Sequence, residues 1–372
     1  MTEEQLDIEL DEADLAGAFG RAVSSYSVTA IDPELRLHSV TGGVWRVRAD
    51  GDSRIVKVVR HGVDDRTDQL WVAGADPSHR NYWKREWLAF AEGLLDTLPG
   101  GLRAPRTSLT TEPAEDECWI WMEDVAGTPG TEWDLDDFDA AAFDLASTQA
   151  AYATGRSELP SQPWLARQWL RGWTEVSVAK DVLVGDDDGW ADERLAPLAA
   201  LRPRAAAVWA AREQLLGIVE AAPPTLTHSD LWPTNLIAAE DGTTVAIDWS
   251  QIGIGALAQD LDQMTLDTVW MQVRPGESLD ALDAHVVPSY LSGLRSSGVD
   301  VDEAQLRRWY AAAASVHYVP MLDYQLVNVS DPTLVLDQEL RFGRPIAEVM
   351  ADRARVIERA IELGERALES AT

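Results

Sequence analysis

The chain of 372 residues carries 63 Asp and Glu against 31 Lys and Arg, a formal net charge of −32. Such an excess leaves no electrostatic footprint for nucleic acid or for an anionic membrane surface. The length suits one large domain or two moderate ones, with a core large enough to stand without disulfides or metal staples.

The N-terminal residues MTEEQLDIELDEADL have neither a basic n-region nor an apolar h-region, so they do not read as a signal peptide. No stretch of about 18 residues is apolar enough to span a bilayer. The single cysteine, Cys118, cannot close an internal disulfide, which points to a reducing cytoplasm. Residues 5–23 show helical spacing, with Leu10, Leu15, Phe19 and Val23 on the apolar side. Three strand-like runs follow: Ser27–Ile31, Val44–Arg48 and Arg54–Arg60. Ala49-Asp50-Gly51-Asp52 joins the second and third, and Asp-Gly between alternating runs is a strong hairpin signal. Just before it, Ser39-Val40-Thr41-Gly42-Gly43 reads as a tight glycine turn. A helix is expected over Asn81–Leu98, with Trp83, Trp87, Phe90 and Leu94 at helical spacing and Pro99-Gly100-Gly101 ending it. A further strand at Cys118–Met122 leads into a Gly/Pro-rich stretch, 123–130, the best boundary in the chain.

The remainder reads as mostly helical, with patterns at 136–154, 163–180, 190–220, 279–296, 302–325 and 344–370. A non-helical block at 223–255 interrupts them. Asp186-Asp187-Asp188-Gly189 reads as a solvated turn rather than a metal site.

The block 223–255 carries the chemistry. It contains Thr227-His228-Ser229-Asp230-Leu231-Trp232-Pro233-Thr234-Asn235 and, after an Asp241-Gly242 turn, Val245-Ala246-Ile247-Asp248-Trp249. A carboxylate and an amide oxygen are hard donors of the kind Mg²⁺ takes alongside phosphate oxygens and water. A further carboxylate on the same loop could accept a proton from a hydroxyl nucleophile, completing what phosphoryl transfer requires. Asp and Asn that merely cap turns are the plainer alternative.

His228-Ser229-Asp230…Asn235 followed by Ile247-Asp248-Trp249 resembles the catalytic loop of the aminoglycoside phosphotransferase-like kinases. That family includes choline, fructosamine and maltose kinases and is related to protein kinases. Serine stands at 229, where the family form H-G-D-x-x-x-x-N has glycine. Gly253…Asp260-Leu261 is similar to the family's downstream G-x-G-x-x-x-x-D-L. The resemblance implies an α+β, bilobal, protein kinase-like fold. An N-lobe over 1–124 would hold a sheet and a helix, and a largely helical C-lobe over 125–372 would include a helical insert at about 130–222.

It also implies roles. Asp230 would be the catalytic base or would orient the acceptor hydroxyl, braced by His228. Asn235 and Asp248 would hold Mg²⁺, and Asp260 would tie the catalytic loop to a helix. Only three of the 31 basic residues are lysines, Lys57, Lys84 and Lys180. Lys57, on the apolar strand Arg54–Val59, fits the lysine that reaches nucleotide phosphates, with Glu86 as its partner and Glu92 as the fallback. Ser39, Thr41, Gly42 and Gly43 would cover the phosphates. Trp119–Val125 resembles the hinge, which brings Glu123 and Val125 to the adenine edge. ATP is the expected nucleotide, with GTP not excluded.

The acceptor region is least legible. Trp232, Asp262, Asp267, Trp270, His317, Tyr318, Asp323 and Tyr324 are its candidate lining, since acids with aromatics suit amines and sugars. The expected activity is Mg²⁺-dependent transfer of the ATP γ-phosphate to a hydroxyl of a small molecule. An aminoglycoside-like antibiotic, amino sugar or amino-polyol heads the list. A metabolic kinase of a neutral sugar or amino alcohol, or a non-catalytic pseudokinase module, are the alternatives. Oligomeric state is left open. Charge is nearly uniform along the chain, but Glu213–Val273 contains no Lys or Arg at all.

Overall fold

The computed structural model describes residues 8–31, 40–62, 72–179 and 189–369. Ser39, Lys180 and the Asp186–Asp188 run therefore lie outside the described residues, as do the first residues of the N-terminal helix pattern. The chain divides into two compact units: residues 1–128, 161–166 and 237–252 in the first, and 129–160, 167–236 and 253–372 in the second. Three segments that the sequence places in the C-lobe, 125–128, 161–166 and 237–252, thus group with the first unit.

The first unit is built on a five-stranded antiparallel sheet. Its strands are β1 (Ser27–Ala30), β2 (Thr41–Ala49), β3 (Asp52–Arg60), β5 (Thr107–Ala114) and β6 (Glu117–Glu123), in the order β1-β2-β3-β6-β5. A two-residue strand β4 (Leu102–Arg103) lies apart from it and pairs in parallel with Thr244–Val245. Strand β2 alternates buried and half-exposed residues, as a sheet with one covered face requires. The covering element is α1 (Glu12–Phe19). Leu15 and Phe19 from α1 pack with Trp45, Val47, Val56, Val58 and Trp121, and Leu10 and Val23 border the cluster. The helix is shorter than the expected 5–23 because both ends are capped. Asp11 accepts from the Asp14 N–H at 2.7 Å, and Gly20 adopts φ 68° at the C-terminus. The hairpin forms as expected, with Asp50 and Gly51 both at positive φ.

Two expectations need correction. Thr41, Gly42 and Gly43 are on β2, not in a turn, and the ladder slips between Thr41 and Gly43. Gly43 is required there, since a Cβ would collide with the Trp45 ring. The helix expected over 81–98 is only α2 (Arg85–Ala91), followed by a single turn at Leu95–Thr97. Gly93, at φ 70°, ends it early.

The second unit is helical. Helix α3 (Leu135–Ala153) starts with a reciprocal capping box between Asp134 and Asp137. It packs so tightly against Leu279–Ser296 that a Cβ on Gly293 would stand 2.6 Å from the Phe143 carbonyl oxygen. Helix α4 (Trp169–Ala179), Glu303–Tyr318 and Ile346–Glu369 complete the main layers. Prolines break the longer patterns. The 190–220 run becomes Ala196–Ala199, Arg202–Ala210 and Arg212–Glu220, with Pro197 and Pro203 in first turns. Pro320 separates Glu303–Tyr318 from Met321–Ser330. A helix at Pro332–Phe342 was not expected, although Asp331, Pro332 and Gly343 are its cap, first residue and terminator. Among the described residues no helix is long and apolar enough to cross a membrane.

Candidate active site

In the first unit, β3 and α2 bring a lysine and a carboxylate together inside the fold. Lys57 Nζ lies 2.6 Å from Glu86 Oε2 and 3.0 Å from Asp248 Oδ1, with the lysine side chain only 8% exposed. Burial works to lower the ammonium's pKa, but the charges of Asp248 and Glu86 outweigh it, so Lys57 is held protonated above its ordinary value. Burial pushes Glu86 up to about 7, against the pull of Lys57. Glu92, the fallback partner, instead accepts the Trp164 indole N–H at 3.1 Å.

Asp248 follows the strand Thr244–Ala246 and sits at φ 57°, ψ 67°, the left-handed region. A non-glycine residue there is unfavourable unless its surroundings hold it. The next residue supplies one restraint: the Trp249 N–H donates to Glu86 Oε1 at 3.2 Å. Glu86 therefore binds the lysine with one oxygen and the Asp248 turn with the other.

The hinge-like segment is engaged in the sheet. Glu123 receives Arg103 Nη1 at 2.9 Å and the Arg106 N–H at 3.1 Å. Its neighbour Asp124 clamps Arg46 and Ser53. Val125 is half-buried just beyond the strand.

In the second unit, the loop from His228 to Asn235 is pinned from below. Asp260, fully buried, accepts the backbone N–H groups of His228 and Ser229, each at 3.1 Å, and Gln149 Nε2 at 2.9 Å. Burial pushes this carboxyl up to about 7, while the two N–H donors work the other way. Ser229 holds φ 62°, where glycine would be unstrained, and its hydroxyl donates to Thr227 Oγ1 at 3.1 Å. Further along, the Leu231 N–H donates to Gln263 Oε1 at 2.5 Å. Asn235 Nδ2 then donates to the Asp230 carbonyl at 2.9 Å and to Asp230 Oδ2 at 3.0 Å. The Asp230 carboxylate is thus fixed in direction yet only half-buried, the arrangement a hydroxyl-orienting base needs.

Several candidate acceptor residues converge in the same unit. His317 Nδ1 meets Asp262 Oδ2 at 2.9 Å. Burial works to lower the imidazole, but the charges of Asp262, Asp267 and Asp230 raise it above its ordinary value. Asp267 is pushed up to about 6 by burial, against the pull of His317 and a hydrogen bond from Tyr318. Trp270 packs edge-on to Tyr318 at 6.0 Å, and Tyr324 stacks on Trp173 at 6.4 Å. Trp232 is half-buried within the loop, its carbonyl accepting the Asn235 N–H at 2.9 Å. Asp323 is half-buried on Met321–Ser330. Trp169 and Trp173 of α4 are buried in the core, and their parallel rings, 6.0 Å apart, both meet the edge of His317. Their spacing of four on one helix was the available signal, and core packing uses the same spacing. Among the described residues no group of three His, Cys, Asp or Glu side chains is gathered as a metal cage.

Residues 37–295 match the model of the Phosphotransferase enzyme family, and the chain belongs to that family. It is a phosphotransferase acting on a hydroxyl group of a small molecule. No curated protein sequence matches the chain. Among solved structures, amicoumacin kinase hAmiN with AMP-PNP, Ca²⁺ and Ami is 14% identical, with 87% of this chain and 88% of that one covered and a TM-score of 0.54. Spectinomycin phosphotransferase APH(9)-Ia with ADP and spectinomycin is 13% identical, covering 90% and 95%, with a TM-score of 0.52. A thermostable mutant of aminoglycoside phosphotransferase APH(4)-Ia with ADP and hygromycin B is 13% identical, covering 94% and 98%, with a TM-score of 0.51. These likenesses show the fold, the α+β bilobal architecture of protein kinase-like enzymes.

Proposed function

We propose that the chain transfers the γ-phosphate of ATP to a hydroxyl of an amine-bearing small molecule, an aminoglycoside-like antibiotic, an amino sugar or a related amino-polyol, in the cytoplasm. The observation that carries the acceptor class is the acid-rich, aromatic-lined cluster of Asp262, Asp267, His317 and Tyr318 in the unit that holds Asp230. Carboxylates pair with ammonium groups and aromatic faces attract them. The amicoumacin, spectinomycin and hygromycin kinases of similar fold, solved with nucleotide and antibiotic or analogue, support the same reading.

Asp230 orients the acceptor hydroxyl and accepts its proton as the new P–O bond forms and the bond from the γ-phosphorus to the departing ADP breaks. Lys57, held protonated, binds the nucleotide phosphates with Glu86 as its counter-charge. Thr41, Gly42 and Gly43 would lie along the phosphates, and Glu123 and Val125 would border the base. Mg²⁺ fits the donors present. Asn235 commits its N–H groups to Asp230, leaving a carbonyl oxygen as its remaining donor, and Asp248 offers a carboxylate. Those two residues would hold the ion, which supplies charge neutralisation of the phosphates. No lysine or arginine lies between Glu213 and Val273 to do so.

Purified protein with ATP, Mg²⁺ and a panel of aminoglycosides, amino sugars, amino alcohols and neutral sugars tests the reading. ATP-dependent phosphorylation of amine-bearing polyols is expected. Turnover confined to neutral sugars would overturn the acceptor class. No turnover on any acceptor, with ATP still bound, would favour a pseudokinase.

A further inference from the structure

Arg85 is the residue beside Glu86 on α2, and its side chain does not reach solvent: it is 1% exposed. Its guanidinium donates to four backbone carbonyls. Nε reaches Trp164 at 2.8 Å, Nη2 reaches His79 at 2.8 Å, and Nη1 reaches Arg80 at 2.9 Å and Ser250 at 3.1 Å. None of the four acceptors is a carboxylate. Burying a cation against carbonyl dipoles alone is costly, and burial lowers this guanidinium's pKa to about 10. A fold that retains such a group gains something in geometry. A planar fork of fixed donors can tie several chain segments into one arrangement, which a single ammonium cannot.

Three segments of the first unit meet at this fork: the loop 79–80, the stretch around Trp164, and the turn after Asp248. Ser250 is two residues beyond Asp248, and the intervening Trp249 N–H is held by Glu86. Successive residues of one helix therefore grip the same turn, Glu86 by an N–H and Arg85 by a carbonyl. Asp248, at positive φ, needs such external restraint to keep its conformation.

We propose that Arg85 is a positioning residue for Asp248, setting the affinity for the divalent cation without touching the nucleotide. This rests on the reading of Asp248 as a metal-holding residue. The experiment uses the full-length protein with ADP and Mn²⁺ as a paramagnetic probe of the Mg²⁺ site, titrated by electron paramagnetic resonance. Arg85→Lys is expected to weaken Mn²⁺ binding by about 10- to 100-fold, the usual cost of losing an outer-shell partner. ADP affinity in EDTA should stay within about twofold by that same division of roles. Hydrogen exchange at residues 249–252 should quicken in the same variant. Arg85→Gln, a neutral donor of shorter reach, is the second variant should the lysine variant fail to fold.

Two controls separate the possible failures. Val47→Ala lowers the melting temperature from within the sheet core and should leave Mn²⁺ binding unchanged. Equal weakening in that variant would make the Arg85 effect one of general stability and overturn the proposal. Asp248→Ala should abolish Mn²⁺ binding. If it does so while the Arg85 variants bind Mn²⁺ normally, the positioning role falls and the metal reading stands. If Asp248→Ala binds Mn²⁺ as the natural protein does, the metal reading falls and the role of Arg85 falls with it.

Discussion

In the first unit, the buried carboxylate of Glu86 and the half-buried carboxylate of Asp248 face a lysine ammonium at 2.6 and 3.0 Å. In the second, Asp260, Asp262 and Asp267 are met by backbone N–H groups, an amide, a tyrosine and one imidazole. The first group is closed in charge: a permanent cation sits among its acids. The second has only a titratable cation, His317, and neutral donors. In the closed group the cation is constant, because Lys57 is raised further from the working range while Glu86, pushed up to about 7, is the member that exchanges a proton. An open group is tuned by pH and presents negative charge to whatever enters. Under the proposed function, the constant cation of the first group would suit nucleotide phosphates, and the acids of the second would suit a cationic acceptor.

The largest expected effect tests the acceptor side. Asp230→Ala should lower phosphoryl transfer by about 10²- to 10⁴-fold, the range for loss of a general base. Nucleotide affinity, measured by calorimetry, should be nearly unchanged, and a parallel loss of ATP binding would overturn the assigned role. Next, Lys57→Met breaks the closed group by leaving Glu86 and Asp248 facing each other without their cation. Removing one member of a buried pair costs about 3–5 kcal/mol, measurable as a shift in the urea midpoint. A stability loss below about 1 kcal/mol, the value of an exposed pair, would show the group to be solvated.

The open group should respond to pH. His317 is raised above its ordinary value of 6.5, so the stability it gains from Asp262 is fully present below that value. It is lost as pH rises through the folded-state pKa. Asp262→Asn should therefore destabilise by about 1.5–3 kcal/mol near pH 6 and by much less near pH 9. The His317 ring resonance, followed by NMR, should titrate at lower pH in the variant. Deprotonation also leaves the acids uncompensated, so KM for a permanently charged amine acceptor should fall as pH rises. The smallest effect is at the loop itself. Ser229→Gly relieves a positive φ but removes the bond to Thr227, and these opposing terms should leave stability within about 1 kcal/mol and turnover nearly unchanged.

The closed group was more legible in the sequence than the open one. A lone lysine on an apolar strand, a glutamate on the next helix and an aspartate ending a strand are spaced features, and scarcity of lysine made Lys57 conspicuous. Strand runs and the Asp-Gly hairpin were equally plain, because period-two burial leaves a direct trace. The open group assembles from helices distant in the chain, so no local pattern announces that His317 meets Asp262. Arg85 carries no sequence signal for a different reason. In a chain whose bases are nearly all arginine, one more beside Glu86 is unremarkable, and its partners are carbonyls, which every residue carries. Helix lengths failed where proline and glycine overrode hydrophobic spacing, as at Gly93, Pro203 and Pro320.

The single thiol of Cys118 has a practical consequence. It is wholly buried on β6, and burial pushes its pKa up to about 11. Thiolate, the reactive form, is scarce at neutral pH, and reagents cannot reach the sulfur. A cysteine introduced at an exposed position, such as the tip of the 50–51 hairpin, would thus be the one site open to a maleimide dye. The natural chain is already a labelling background, so ligand binding could be followed by an attached reporter without first removing a native residue.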